Sequence, residues 1–265
     1  MSNQILEACR YRRSKHPSDR TSISQPFVSS WSKVPVERVL SVAGVMDVAR
    51  TILQPAPCDE QPAEIDDVDA ARAQEYALLA MLLARTPDAA TLGRIAKLRG
   101  DATPLGRAHV ALAQAADNAS AEKIQREFFN LFIGIERGEL LPYASYYLTG
   151  LRNERPLVRV REDLWARGIE RAEGQVEAED HAAVLCEIMA GLAGGPSATA
   201  AGLQQQFFQR HLAPWIGRFF ADLERADSAD FYRQAGKVGR LFMEIETKTF
   251  ARRPERRESH RRTRR

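Results

Sequence analysis

The chain has 265 residues, 44% of them hydrophobic, with a formal charge of +3. That is enough apolar material for one large domain or two small ones. Cys9, Cys58 and Cys186 lie far apart with no C-x-x-C pair, which argues against a disulfide framework or a thiolate zinc site and for a reducing, cytoplasmic setting. No apolar run approaches the ~20 residues that cross a bilayer, so no stable membrane insertion is expected. Twin arginines mark one export route, but the polar residues after Arg12-Arg13 supply no apolar signal region.

The charge is unevenly spread. Residues 252–265 hold eight Arg and two Glu, and residues 1–45 hold seven Lys or Arg and three acids. Against the total of +3, residues 46–251 therefore carry −7. An acidic middle draws an Arg- or Lys-bearing partner more readily than nucleic acid. The Arg-rich end lacks interleaved aromatics and reads as a solvated tail, with nucleic-acid binding as a lesser alternative.

Residues 1–65 mix Ser, Pro and charge without a sustained period and read as a largely disordered or loosely packed extension. Met46 offers an alternative start within it. From Asp66 acids suited to a helix start lead into good helix formers, and a helix is expected up to Pro87. Residues 87–99 predict a second, with Pro87 in its first turn and Gly100 as its stop. Residues 104–116 and 120–133 read the same way, with Ser120 as a cap.

Glu127 to Leu151 is the most informative run. Phe128, Leu131 and Phe132 share a helical face, Gly134 supplies a stop, Gly138 and Pro142 mark a loop, and Tyr143, Ser145, Tyr146 and Tyr147 follow. The commoner reading is a loop between core helices, its tyrosines half-buried with hydroxyls in water. Further on, Pro156 opens a helix that Gly168 ends. Glu177 to Ala193 predicts an apolar stripe behind an acidic first turn. Residues 203–225 form an amphipathic segment that Pro214 should kink, and residues 230–250 a last helix with Phe231, Val238, Leu241, Phe242 and Ile245 inward. Strand signals are nearly absent. The fold expected is all-α, an irregular multi-helix bundle of eight to ten helices over residues 66–250, with a basic tail at 251–265.

Phosphate loops, dinucleotide fingerprints, H-E-x-x-H and paired E-x-x-H elements are all missing, so no cofactor and no metal site is expected. His109, His181 and His211 read first as hydrogen-bonded core or surface residues. Position alone explains Glu177, Glu179 and Asp180 at a helix start. His181 beside Asp180 is not so explained. Such a pair could raise the histidine's proton affinity or offer acceptors to a guanidinium. An enzyme using the pair as acid and base is the alternative, weakened by the lack of a nucleophile, metal set or phosphate cradle.

The segment EFFNLFIGIERGELLPYASYYLTG resembles the signature of the TorD/DmsD/NarJ redox-enzyme maturation chaperones, an E-[YF]-x-x-LF-x-G run followed by P-Y-x-S-x-Y. EAEDHAAVLCEIM is similar to their E-P-x-D-H element, with Ala178 in place of proline. FFQRHLAPW and FYRQAGKVGRLFMEIE resemble later family segments, so the likeness covers about residues 68–250. It implies an all-helical cytoplasmic TorD-like protein, not an enzyme. Such a protein binds the twin-arginine signal peptide and the apo form of an exported redox enzyme, usually a molybdenum enzyme, as monomer or homodimer. Carried over to this chain, the expected peptide-binding residues are Asp180, His181, Glu177, Glu179, Tyr143, Ser145 and Tyr146, with Phe132 and Pro142 as apolar wall and lip.

Overall fold

The computed structural model describes residues 67–167, 169, 177–195 and 198–252, all within one unit of the chain, residues 34–265. The extension at 1–65 and the tail from residue 253 lie outside the described residues. Among the described residues, ten α-helices and two five-residue π-turns form the fold and no strand occurs. The helices are α1 (Asp67–Ala84), α2 (Ala89–Ile95), α3 (Pro104–Asp117), α4 (Ala121–Phe128), α5 (Ala144–Thr149), α6 (Arg155–Trp165), α7 (Ala182–Ala193), α8 (Ala198–Phe207), α9 (Ile216–Arg225) and α10 (Phe231–Arg252).

The α1 and α7 helices pack together at the centre. Their sequences explain the placement. In α7, Leu185, Cys186, Ile188, Met189 and Leu192 are buried on all sides, as expected of a helix without a polar face. Around them α10 lies against α3 and α9. The closeness of α9 and α10 depends on Gly239, where a Cβ would fall 2.3 Å from the Phe220 ring, well inside van der Waals contact.

Several starts and stops differ from the sequence reading. Asp88, not the first turn around Pro87, caps α2 by accepting the Thr91 amide, and the helix ends at Ile95, well before Gly100. The α7 helix begins at Ala182 and has no acid in its first turn. Glu177 to Asp180 stand in the turn before it. Ile245 is 44% exposed rather than inward, whereas the neighbouring Glu246 is fully buried. The last helix also runs on through Ala251 and Arg252, residues assigned by sequence to the tail.

The helix read over 120–133 is α-helical only to Phe128, and Phe129–Ile133 form a π-turn that closes with Gly134 N–H donating to the Phe129 carbonyl at 2.7 Å. Gly134 takes φ +64° with an extended ψ, a geometry that a side chain rarely adopts. The break expected at Pro214 begins earlier, in a second π-turn, Phe208–Leu212, closed by Ala213 N–H on the Phe208 carbonyl at 2.9 Å. Each π-turn begins at the second residue of a Phe-Phe pair and shifts the helical register before the chain turns.

Candidate functional site

Residues 142–145 and 178–183 are far apart in sequence and knitted together in space. Tyr143 and His181 form an antiparallel bridge. Ala182 N–H donates to the Pro142 carbonyl at 2.8 Å and Ala144 N–H to the Asp180 carbonyl at 3.0 Å. Asp180 Oδ2 accepts the Ser145 amide at 2.9 Å. The α5 helix has no cap from its own first residues, so Asp180 fills that role from across the molecule.

His181 caps α7 in turn. Its Nδ1 accepts the Ala183 amide at 3.1 Å, which places the proton of the neutral ring on Nε2. Burial pushes the imidazole down to about 4, against the opposing pull of Glu177 and Asp180. The sequence expectation that Asp180 raises the histidine's proton affinity is thus reversed, because desolvation outweighs the neighbouring charges. The Tyr143 and His181 rings meet edge to face at 4.9 Å.

The exposure of the expected site residues divides them. Asp180 and Ser145 are 0% exposed, His181 5% and Tyr143 7%, and Pro142 is buried too. Glu177, Glu179, Tyr146 and Phe132 are half-buried. Asp180 therefore offers no surface to an incoming group, although its Oδ1 has no hydrogen-bond partner among the described residues. Two of the tyrosine hydroxyls are bonded to protein. Tyr143 donates to Glu177 Oε2 at 2.5 Å and Tyr147 to Asp222 Oδ2 at 3.0 Å. Burial, and then these carboxylates, hold both phenols well above their ordinary range.

Phe132 belongs to a different neighbourhood. Its ring contacts Phe128 at 5.1 Å and Tyr232 at 5.4 Å, so it packs mainly as a core-edge aromatic. Tyr146 lies nearer the loop from Gly134, with the Arg137 guanidinium 5.9 Å from its ring centroid.

Two residues that sequence reasoning did not single out complete the site. Arg152 lies 4.2 Å over the Tyr143 ring, and Arg161 Nε donates to Glu179 Oε2 at 2.8 Å. No motif or spacing marks them, since Arg161 reaches Glu179, 18 residues further on, and Arg152 folds back across the α5–α6 turn onto Tyr143. The other histidines are bonded as well. His109 Nε2 meets both Glu75 oxygens at 2.9 and 3.0 Å, and His211 Nε2 meets Asp163 Oδ2 at 2.6 Å.

The acid–base alternative fits these partners poorly. Asp180 holds a backbone amide, and His181 Nδ1 holds another. The hydroxyl of Ser145, the nearest alcohol, is buried and accepts the Asn153 amide at 3.2 Å. No group of His, Cys, Asp and Glu among the described residues is arranged to hold a metal ion, and none of the described helices is long and apolar enough to cross a membrane.

The family model described as nitrate reductase delta subunit matches residues 98–221, a span that contains both halves of the knot. Over that span the chain resembles the TorD/NarJ family. Among curated relatives, the chaperone protein TorD of Vibrio cholerae serotype O1 is 29% identical over 144 residues, covering 51% of this chain and 66% of that protein. The chaperone protein TorD of Shewanella pealeana is 24% identical over 199 residues, covering 66% of this chain and 87% of that one. A solved structure from Archaeoglobus fulgidus, described as a candidate redox enzyme maturation protein, shares 19% identity with a TM-score of 0.46 over 72% of this chain and 99% of its own. That likeness is too loose to bear on the site.

Proposed function

We propose that this TorD/NarJ-like protein is a cytoplasmic chaperone. It binds the twin-arginine signal peptide of a partner redox enzyme, of the molybdenum-containing kind, and holds the apo enzyme during maturation before export. The observation that carries the reading is the distribution of exposed apolar side chains. Ten large hydrophobic residues are exposed among the described residues, and seven of them fall between Phe129 and Trp165, the stretch that supplies Tyr143 to the bridge with His181. An amphipathic or apolar helical segment needs such a surface to dock.

The charged end of the peptide falls to Glu177 and Glu179, which keep part of their surface exposed, while buried Asp180 positions the loop that presents them. The excess of acid over residues 46–251 adds long-range attraction for arginines. The names of the TorD relatives support the chaperone reading, and the partners of Asp180 and His181 support it over acid–base catalysis.

Titration calorimetry with twin-arginine signal peptides from the same genome tests the proposal. Binding that weakens when both arginines become lysine, and that weakens with salt, is the expected result. No binding by any of the peptides overturns it.

A further inference from the structure

The guanidinium-accepting face proposed above already holds guanidinium groups. Arg161 sits on α6 with its Nε 2.8 Å from Glu179 Oε2, its side chain 47% exposed and that of Glu179 12% exposed. Arg152 sits in the α5–α6 turn with its planar head 4.2 Å over the Tyr143 ring, and the hydroxyl of that ring is bonded to Glu177. Arg152 meets Tyr143 and Arg161 meets Glu179, and Tyr143 is itself bonded to Glu177, two residues before Glu179.

The placement of Arg152 is held by the backbone. Gly150 ends α5 at φ +80°, and Asn153 adopts φ +61°, a left-handed conformation uncommon outside glycine but tolerated by asparagine. Asn153 N–H is tied to the hydroxyl of Ser145, which is itself anchored to Asp180. The turn that carries Arg152 is therefore fastened to the same knot that carries the acids.

We propose that Arg152 and Arg161 are built-in occupants of this face, and that an arginine-bearing segment of a partner binds by exchanging its own guanidinium groups for them. The proposal rests on the peptide-binding reading above. Exchange of like for like has two consequences. It lowers the affinity for any cationic segment, because an internal ion pair must open first. It also favours arginine over lysine, since a position shaped by a planar head over an aromatic ring and by a forked donor is poorly filled by a compact ammonium. Half-exposed Arg161 is suited to the part, because an ion pair of this kind is worth only about two- to five-fold in an equilibrium constant and opens readily.

The test is calorimetry of the full chain with a synthetic peptide bearing two adjacent arginines before an apolar helix-forming segment, and with its Lys-Lys counterpart. Arg161→Ala is compared with Arg159→Ala, which removes the same charge from α6 and is exposed. Arg152→Gln is measured beside them, keeping a long side chain in the turn. The expected result is about two- to five-fold tighter binding of the Arg-Arg peptide by Arg161→Ala than by Arg159→Ala. A gain of similar size is expected for Arg152→Gln, as is a smaller Arg-over-Lys preference in the Arg161→Ala, Arg152→Gln double variant. In a Glu179→Ala background the Arg161→Ala gain should vanish. If wild type binds and Arg161→Ala is equal to or weaker than Arg159→Ala, exchange is overturned while the peptide reading stands. If neither wild type nor Arg161→Ala binds the peptide, the underlying reading falls.

Discussion

Asp180 accepts the amide of Ser145, 35 residues before it, at 2.9 Å and with no exposure to solvent at either residue. The bond starts α5 and fixes the loop before α7. Removing it with Asp180→Ala takes away a helix cap and leaves a buried donor, at a cost of about 1–2 kcal/mol. A fall in the thermal midpoint of roughly 2–8 °C is expected, read by circular dichroism. Asp180→Asn keeps an acceptor oxygen and should lose less.

His181 predicts an acid limb in stability. Its folded pKa, near 4, lies below the ordinary 6.5, so protons favour the unfolded chain. The stabilisation stands in full above about pH 6.5 and is lost as pH falls toward 4, by on the order of 2–3 kcal/mol. His211, also lowered mainly by burial, acts in the same sense. His109, raised by its bond to Glu75, acts in the opposite one: its contribution is present at low pH and fades as pH rises through its folded pKa. His181→Asn retains a capping acceptor and should flatten the limb in urea titrations run from pH 7 to pH 4.

Arg72 on α1 and Glu246 on α10 make a two-pronged buried ion pair at 2.8 and 2.7 Å. Tyr76 adds a third bond to Glu246 at 2.8 Å, and Gln204 accepts from Arg72 at 2.6 Å. Glu246→Ala leaves the buried guanidinium with only Asp69 and Gln204 as partners and should cost about 3 kcal/mol in chemical denaturation. The double change Arg72→Met with Glu246→Leu should recover much of that loss, because the only charge left without its partner is Asp69, which also bonds Arg72 at 2.6 Å but is 21% exposed.

Glu127 accepts the amides of Asp230, Phe231 and Tyr232 at 2.8, 3.2 and 2.6 Å, and Glu139 accepts those of Asp227 and Ser228 at 2.7 and 3.0 Å. The loop ahead of α10 is thus gripped from both sides of the first π-turn. Glu127→Ala is expected to destabilise by about 1–3 kcal/mol and to speed hydrogen exchange in the first turn of α10.

Period and punctuation made much of the fold legible. The apolar repeats of Asp67–Ala84 and Ala182–Ala193, the Pro104 start with its Thr103 cap and the Ser120 cap act over a few residues, and each is visible in the local sequence. The two π-turns were not legible, since Phe-Phe followed by polar and apolar residues fits an unbroken α-helix equally well. Nor was the inward face of Glu246, which only its meeting with Arg72 makes affordable.

The candidate site divides along the same line. Sequence alone picked out the P-Y-x-S and D-H segments as a candidate site and determined that the middle of the chain is acidic and helical, because residue type and spacing express those properties without long-range contacts. Only tertiary structure decided which residues face outward. Asp180 and His181 turned inward because the amides of Ser145 and Ala183 needed acceptors, and Arg152 and Arg161 came to cover Tyr143 and Glu179 through contacts that no local pattern encodes. Burial and capping are set by what the rest of the chain brings alongside.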